Sequence, residues 1–184
     1  MGRTKALVEV DGVPMARRVA DALEGVGCDP VVVYGGDPVE LGPLRAEVVE
    51  ERFPGAGPVG GVAGAVSWAE GHDDGRGAVS AVLVVACDLP ELDRATLGRL
   101  LDVDRDADVV VAHTGRREPL CALWPLSSAG AVLRAFEDGV RAMHELLDVL
   151  SVTEVAVRPR ALLNVNRPED LPEADEPGVH ASQG

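Results

Sequence analysis

The sequence has few aromatic residues and little positive charge. Phe, Trp and Tyr make up only 3% of its 184 residues, whereas 46% are hydrophobic, so the core must be built mainly from Val, Leu and Ala. Seventeen Lys and Arg stand against thirty-one Asp and Glu, which gives a formal net charge of −14. Such a charge repels a phosphate backbone and argues against a nucleic-acid partner. The sign is reversed near the start, where Arg3, Lys5, Arg17 and Arg18 suit a small polyanion.

Cysteine clusters and long apolar runs are also missing. Cys28, Cys87 and Cys121 are widely spaced and odd in number, which predicts buried thiols in a reducing compartment rather than disulfides or a metal cluster. No apolar stretch approaches the roughly 20 residues that span a bilayer, and no leader with an apolar centre is recognisable. We therefore expect a cytoplasmic protein with no membrane partner.

The most informative segment is the apolar run over residues 79–87, which ends on Asp88. A strand that is apolar on both faces is typical of parallel sheets covered by helices on either side. Ligands of such sheets bind in the crevice beyond the carboxyl ends of the strands, so Asp88 is well placed to hold a metal ion or a ribose. Asp88 could instead cap the next helix. Asp93 is the better N-cap, because it directly precedes residues 94–101, whose leucines fall on one helical face.

Strands and helices alternate along the rest of the chain. Residues 6–10 predict a short first strand, and residues 107–112 and 120–124 predict an antiparallel hairpin added to the sheet. The pattern predicts an α/β fold, a three-layer α/β/α sandwich with a mostly parallel, Rossmann-like sheet and an appended hairpin. We expect one domain over residues 1–171 and a disordered acidic tail over residues 172–184.

Three further patterns are candidates for ligand binding. Lys5 could neutralise phosphate oxygens, although a lysine is more commonly a plain surface residue. The glycine-rich segment 57–61 opens a predicted helix, where exposed N–H groups and the helix dipole favour an anion, or it is an ordinary loop. Near the end of the chain, Asn166 has Glu169 three residues on and fits an N-cap. Asn164 has no such structural role and is the better candidate for a ligand contact.

Taken in order, these patterns resemble those of the molybdenum cofactor guanylyltransferase family, the MobA-like nucleotidyltransferases. Five short motifs carry the resemblance: Met-Gly-Arg-Thr-Lys at residues 1–5, Gly-Pro-Val-Gly-Gly at 57–61, Cys-Asp-Leu-Pro at 87–90, Pro-Leu-Cys-Ala-Leu at 119–123 and Asn-Val-Asn-Arg-Pro at 164–168. The resemblance implies a nucleotide-diphospho-sugar transferase-like fold. It also implies transfer of GMP from GTP onto the terminal phosphate of molybdopterin, with release of pyrophosphate, during molybdenum cofactor biosynthesis.

The resemblance also implies roles for individual residues. Lys5 and Asp88 would be catalytic, with Lys5 neutralising the triphosphate and Asp88 holding a Mg²⁺ ion as the cofactor. The acceptor phosphate is already ionised, so no general base is expected. The other positions divide into a nucleotide-binding set of Arg3, Lys5, Glu51, Gly57, Pro58, Gly60 and Gly61, and a pterin-binding set of Asn164, Asn166 and Arg141. The expected partners are GTP and molybdopterin, and beyond them molybdoenzymes or other cofactor-biosynthesis proteins.

The chain departs from the family pattern in individual residues and at its start. Glu51 stands where the family often has an aspartate near the base. The chain begins inside the opening motif, so the family's first strand and glycine-rich triphosphate loop are absent, and we expect either a start codon assigned too far downstream or a truncated paralogue. The family's opening segment, which is absent here, also contains the loop that helps to choose between GTP and CTP. Three alternatives stay open: a cytidylyltransferase for the same cofactor, a guanylyltransferase for a small phosphorylated acid, and a degenerate protein that binds molybdopterin without catalysis.

Overall fold

The computed structural model of the chain describes residues 4–72, 75, 79–104 and 106–165. Its strands and helices, in chain order, are β1 (Glu9–Val10), β2 (Val13–Pro14), α1 (Met15–Glu24), β3 (Val32–Tyr34), β4 (Glu47–Val49), α2 (Gly57–Gly71), β5 (Ala81–Val85), α3 (Arg94–Leu101), β6 (Val109–His113), β7 (Arg117–Pro125), α4 (Ala129–Glu137), α5 (Met143–Asp148) and β8 (Val152–Ala156). Short 3₁₀ turns occur at Lys5–Leu7, Gly42–Leu44, Leu126–Ser128 and Pro159–Leu162. None of the helices in the described ranges is both long and apolar enough to cross a membrane.

The main sheet has four strands in the order β5-β7-β6-β8. β5 and β6 both run antiparallel to β7, and β8 runs parallel to β6, so three of the four strands share one direction. The predicted hairpin is formed by β6 and β7. It is built into the sheet, because β7 lies between β5 and β6. A separate parallel pair, β3–β4, and a small antiparallel pair, β1–β2, are the other sheets in the described residues.

The side chains of β6 alternate between two hydrophobic cores. Val109 and Val111 belong to a core shared with α2, α4 and α5, whereas Val110 and Ala112 belong to a core shared with α1 and α3. All four side chains are fully buried. Successive residues of a strand face opposite sides of the sheet, so helices on both sides explain why the strand is apolar throughout. The predicted three-layer α/β/α sandwich is confirmed.

The residues that precede α3 and α4 play different roles. Asp93 is the N-cap of α3, since its Oδ1 accepts a hydrogen bond from the Thr96 N–H at 2.7 Å. Ser128 directly precedes α4 but makes no capping bond. Its hydroxyl donates to the Pro125 carbonyl at 2.7 Å instead. Because Ser128 is fully buried, this bond satisfies a polar group inside the core.

The predicted strand over residues 6–10 is wrong in its first half. Lys5–Leu7 form a 3₁₀ turn, and only Glu9–Val10 is extended. The turn buries Ala6 and Leu7 together in one hydrophobic cluster. A strand cannot do this, because its successive side chains face opposite sides.

Candidate active site

Asp88 lies just beyond β5, at the carboxyl edge of the main sheet. It is a buried carboxylate, with 9% of its surface exposed. Its main-chain carbonyl accepts a hydrogen bond from the Val165 N–H at 3.0 Å. The next helix is capped by Asp93, so the alternative that Asp88 serves as this cap is excluded.

Two residues that the sequence singled out meet Asp88 at one oxygen. The side-chain Nδ2 of Asn164 donates a hydrogen bond to Oδ2 of Asp88 at 2.7 Å, and Nζ of Lys5 lies 3.7 Å from the same oxygen. The three side chains come from three separate motifs, and Asn164 is 76 positions away from Asp88 in the chain. The fold therefore assembles a cation, a carboxylate and an amide at the edge of the sheet.

Arg18 supports the segment after β5, a role that sequence reasoning missed. Its Nε–H donates to the Pro90 carbonyl at 3.1 Å, and its Nη1–H donates to the Val10 carbonyl at 3.2 Å. Its neighbour Arg17 pairs instead with acidic residues of its own helix. The sequence shows only two adjacent arginines. Successive helical residues are rotated by about 100°, so the two side chains have different surroundings that their sequence does not distinguish.

A cavity of about 710 Å³ opens at the same edge of the sheet. Ala86 and Leu89, on either side of Asp88 in the sequence, line it together with Asn164, whereas Asp88 itself is not part of the lining. Most of the remaining wall is apolar and comes from β7, the start of α5 and residues 159–163. A cavity of this size suits a small organic ligand. Asn164 connects it to the Asp88 carboxylate.

The turn between β6 and β7 forms a polar rim of this cavity, and sequence reasoning missed its residues. Oε1 of Glu118 accepts hydrogen bonds from the Thr114 hydroxyl at 2.6 Å and from the Arg116 Nε–H at 2.9 Å. The Arg116 side chain is 82% exposed, so it can reach a ligand at the mouth of the cavity. The only sequence signal is the polar composition of residues 113–118, which is typical of any turn.

The two cysteines near this site are not nucleophiles. Cys121 lines the cavity, and burial, reinforced by the charge of Glu118, raises the pKa of its thiol to about 12. Burial and the charge of Asp88 also raise the pKa of the Cys87 thiol. Both thiols are protonated at neutral pH, whereas the reactive form of cysteine is the thiolate.

A second group of predicted residues gathers around the start of α2. The helix begins at Gly57, as the glycine-rich pattern predicts, with Pro58 in its first turn. A Cβ at Gly60 would lie only 2.4 Å from the Cβ of Ala56, and 3.5 Å from the ring of Phe136. Glycine is therefore required at this position by close packing. A Cβ at Gly61, in contrast, would have nothing within 4 Å.

Arg141 packs on Phe136, the ring that also approaches Gly60. Its guanidinium lies 4.2 Å from the ring centroid, and its Nη1 donates to the main-chain carbonyls of Phe136 at 2.6 Å and Val140 at 2.9 Å. These contacts place Arg141 beside the start of α2. It is not part of the cavity lining, which includes Met143 two residues on. The assignment of Arg141 to the pterin side stays a prediction.

Glu51 follows β4 and packs over Gly35. A Cβ at Gly35 would lie 2.8 Å from Cγ of Glu51, and the φ angle of Gly35 is +88°, so both space and backbone conformation favour glycine there. The next residue joins this region to α2, because the Arg52 N–H donates to the Tyr34 hydroxyl at 2.9 Å and its guanidinium contacts Ser67. Glu51 and the start of α2 therefore belong to connected parts of the fold.

The residues around Asp88 fit a Mg²⁺ ion that is shared with a substrate. Among the described residues there is no group of three or more His, Cys, Asp and Glu side chains that could enclose a metal by themselves. Asp88 offers one carboxylate, whose Oδ2 is contacted by Asn164 and Lys5, and Oδ1 accepts no hydrogen bond from the part of the chain that is described. Mg²⁺ commonly takes one or two carboxylates and completes its shell with waters and phosphate oxygens.

Two of the predicted site residues fall outside this arrangement. Arg3 and Asn166 lie outside the described residues, as does the tail over residues 172–184. Their roles in nucleotide and pterin binding stay predictions.

Comparison with known proteins defines the class of this chain. Residues 1–155 match the model of the MobA-like NTP transferase domain. The chain belongs to this family of nucleotidyltransferases, as its five motifs predict.

Individual relatives cover nearly the whole chain. It is 34% identical over 189 residues to a probable molybdenum cofactor guanylyltransferase from Pelotomaculum thermopropionicum, with 95% of this chain and 85% of the relative aligned. A probable molybdenum cofactor guanylyltransferase from Opitutus terrae is 31% identical over 179 residues, with 92% of this chain and 86% of the relative aligned. The crystal structure of molybdopterin-guanine dinucleotide biosynthesis protein A from Archaeoglobus fulgidus has the same fold, with a TM-score of 0.67 at 23% identity over 91% of this chain and 86% of that one.

Proposed function

We propose that the chain transfers GMP from GTP to the terminal phosphate of molybdopterin, with or without bound molybdenum, and releases pyrophosphate. Relatives named molybdenum cofactor guanylyltransferase support this proposal over almost the whole length of the chain. The observation that carries it is the meeting of Lys5 and Asn164 at Asp88, beside a cavity at the carboxyl edge of the sheet.

The reaction needs alignment and charge neutralisation rather than a general base. An oxygen of the acceptor phosphate forms a bond to the α-phosphorus of GTP, the bond from that phosphorus to the bridging oxygen breaks, and pyrophosphate leaves with the electron pair. The attacking phosphate is already ionised at neutral pH, so no side chain has to remove a proton. Lys5 would neutralise oxygens of the triphosphate, and the fold would hold the two substrates in line.

Asp88 would hold the Mg²⁺ ion through the carboxylate oxygen that Asn164 and Lys5 do not contact. When bound, the ion would supply positive charge to the substrate phosphates and fix their orientation. Burial at a strand end suits Asp88 to this role. A carboxylate in that position keeps its place, whereas one on an exposed loop would have to be ordered when the substrate binds.

The nucleotide would lie on the side of β3, β4 and α2. The carboxylate of Glu51 can accept hydrogen bonds from the N–H donors of guanine. The main-chain N–H groups at the start of α2 favour a phosphate group. We assign Glu51, Gly57, Pro58, Gly60 and Gly61 to this side on the strength of the contacts that join Glu51 and α2 through Tyr34 and Arg52.

The pterin would lie in the cavity. Its apolar wall suits a flat ring system, and Asn164 supplies a polar contact at the end nearest Asp88. Asn166 and Arg141 complete the proposed pterin set, with Arg141 as a phosphate contact. The cavity and the nucleotide side would thus bring the acceptor phosphate and the α-phosphorus together near Asp88.

We also infer a cytoplasmic setting, with the product passing to molybdoenzymes or other cofactor-biosynthesis proteins. The cysteines support the reducing compartment, because Cys28, Cys87 and Cys121 are all free. A buried, protonated thiol in the cavity wall also gives no anionic competitor for a molybdenum ion carried by the substrate.

The test is a transfer assay with the full chain, GTP, molybdopterin and Mg²⁺, in which pyrophosphate and the dinucleotide product are both measured. Asp88→Asn keeps the size of the side chain and should lower the turnover by about 10²-fold or more. Lys5→Ala should weaken GTP binding by about tenfold, a change of about 1.4 kcal/mol, with less effect on pterin binding. Asp104→Asn is the matched control, because Asp104 is an exposed carboxylate in the connection that enters β6 from the opposite edge of the sheet. Unchanged turnover of Asp88→Asn would contradict the proposal.

The same assay separates the other candidates. A cytidylyltransferase would transfer CMP from CTP faster than GMP from GTP. A guanylyltransferase for a small phosphorylated acid would release pyrophosphate with that acceptor and not with molybdopterin. A protein that binds molybdopterin without turning it over would identify the degenerate alternative.

A further inference from the structure

We propose that Asn164 is a positioning residue for the Asp88 carboxylate, and that it couples the cavity to metal binding at that carboxylate. This inference rests on the proposed metal role of Asp88. It differs from the pterin contact that the sequence predicts, because it gives the Asn164 amide a partner inside the protein before any substrate binds.

The hydrogen bond from Asn164 makes the two carboxylate oxygens of Asp88 inequivalent. Nδ2 of Asn164 lies 2.7 Å from Oδ2 of Asp88, so this oxygen is engaged. An amide donor is neutral, whereas a lysine or arginine in its place would cancel the charge that attracts a cation. Asn164 therefore fixes the orientation of Asp88 and leaves its negative charge available.

The main chain around Asn164 is fixed to the same strand end. The Val165 N–H donates to the main-chain carbonyl of Asp88 at 3.0 Å, and the Val165 side chain is fully buried against Val10 and Met15. Side chain and main chain thus hold Asp88 from one short segment. A side chain that starts from an anchored backbone loses less conformational freedom when it makes its bond, so the Asn164 contact is well suited to orientation.

Lys5 contacts the same oxygen in a looser way. Its Nζ is 3.7 Å from Oδ2, and its side chain is 56% exposed, whereas that of Asp88 is 13% exposed. At this distance, with the ammonium of Lys5 largely in solvent, the attraction is screened and the ion pair is weak. A triphosphate that attracts Lys5 would therefore leave Asn164 as the side chain that still holds Asp88.

Asn164 also belongs to the cavity wall. An amide whose N–H is bound to Asp88 still has a carbonyl oxygen and a second N–H for a ligand. A ligand in the cavity that bonds to this amide would act on the orientation of Asp88 through a single side chain. Metal affinity and acceptor binding should therefore depend on each other, by the same factor in both directions.

The experiment measures Mn²⁺ affinity by the electron paramagnetic resonance signal of the free ion, at a fixed GTP concentration and with the binding to GTP in protein-free buffer subtracted. Asn164→Ala should weaken Mn²⁺ binding by about tenfold or more, as is typical when a residue that orients a metal ligand is lost. Arg116→Ala is the matched control, because Arg116 lines the same cavity but bonds to Glu118. It should leave Mn²⁺ affinity unchanged.

Activity gives a second readout that a simple pterin contact would not produce. In Asn164→Ala the Mg²⁺ concentration for half-maximal transfer should rise by the same factor, and high Mg²⁺ should restore much of the rate. A residue that only contacts the pterin would raise the KM for molybdopterin and leave the Mg²⁺ dependence unchanged, and that result would overturn the inference. Asn164→Leu, which keeps the side-chain size without the donor, is the second variant, and thermal unfolding without metal checks that both variants fold.

The outcomes distinguish this inference from the proposed function. Mn²⁺ affinity that does not change in Asp88→Asn would remove the metal role itself, and the inference with it. Affinity that falls in Asp88→Asn but stays at the wild-type value in both Asn164 variants would overturn the inference alone.

Discussion

The interior of the four-stranded sheet and the β3–β4 pair are built from similar residues but are enclosed very differently. Val109, Val110, Val111 and Trp124 in β6 and β7 are fully buried between two helical layers. Every residue of β3 and β4 is half-buried or exposed, although both strands are rich in valine. No strand ladder joins the two sheets within the described ranges. Valine content alone therefore does not decide which strands form the core. Coverage of both faces of the strand by helices does.

The difference bears on where the proposed chemistry lies. Asp88 follows β5, an edge strand of the four-stranded sheet whose residues are half-buried like those of β3, and it is held there by Val165 and Asn164. Glu51 follows β4 and belongs to the less enclosed pair. Asp88, which needs a fixed orientation, is thus held by contacts from residues 164 and 165, whereas Glu51, proposed to read a nucleotide base, packs over Gly35 at the end of the β3–β4 pair.

The largest expected effect comes from breaking the enclosed sheet. Trp124→Ala should lower the free energy of unfolding by about 3–5 kcal/mol, because it leaves a large cavity among well-packed side chains. Val33→Ala, at a half-buried position of β3, should cost about 1 kcal/mol or less. Urea unfolding followed by far-UV circular dichroism gives both values from the midpoint at constant slope. Equal costs at the two positions would contradict the difference in enclosure.

Trp124→Phe tests whether packing or a hydrogen bond of the indole causes the loss of stability expected for Trp124→Ala. Within the described residues the indole Nε1–H of Trp124 is buried and has no hydrogen-bond partner. Removing an unpaired donor while keeping most of the ring should therefore cost much less than Trp124→Ala. A loss as large as that of the alanine variant would show that the donor is bonded.

A smaller effect comes from breaking the connection between the two regions. A Cβ at Gly64 of α2 would lie 2.1 Å from the Tyr34 hydroxyl of β3, so Gly64→Ala should force Tyr34 to move and cost about 1–3 kcal/mol in the free energy of unfolding. Gly61→Ala is the matched control in the same helix, because nothing lies within 4 Å of its added Cβ. It should raise stability by up to about 1 kcal/mol through helix propensity. Thermal unfolding compares them, and the same sign of change in both variants would contradict the close contact.

The smallest expected effect depends on pH and concerns the start of α3. Burial acts to raise the pKa of Asp93, but the hydrogen bonds from Thr96 and the Arg158 guanidinium outweigh it and hold the pKa below its usual value of 3.8. The folded state therefore favours the charged form. This contribution is present above about pH 4 and is lost as the pH falls through the lower folded pKa.

Asp93→Asn keeps a capping oxygen and removes the charge. At neutral pH the variant should be less stable by about 0.5 kcal/mol, since the ion pair with Arg158 is largely exposed. The difference from the wild type should shrink towards zero below pH 3, which urea unfolding at several pH values can measure. A difference that stays constant with pH would show that the charge contributes nothing.

The sequence predicts the layers of the fold well, because their signals are local. The apolar run before Asp88, the leucines after Asp93 and the polar turn between β6 and β7 each mark an element where the structure has one. The failure at residues 6–10 has a physical cause. A short apolar run does not distinguish a strand from a short turn that buries two adjacent side chains, and the tertiary cluster around Ala6 and Leu7 decides between them.

The candidate site is predictable as a set of residues and not as a geometry. Asp88, Lys5 and Asn164 lie in recognisable motifs. Nothing in their spacing, however, shows that one carboxylate oxygen of Asp88 contacts both Lys5 and Asn164. Arg18 and Glu118 are invisible for a related reason, because their importance comes from partners far away in the chain or from the shape of a turn. Long-range pairing is information that only the folded chain supplies.

The insertion of β7 between β5 and β6 has a consequence for how this chain could be altered. β5 and β6 point the same way, so the loop that joins β6 to β7 lies at the same edge of the sheet as Asp88. In the sequence, however, this loop is far from Asp88. The loop formed by Thr114, Gly115 and Arg116 can be lengthened, shortened or given other residues while β5, the strand that precedes Asp88, keeps its register. The loop at the rim of the cavity and the segment that carries the proposed metal ligand are thus separate stretches of the same polypeptide.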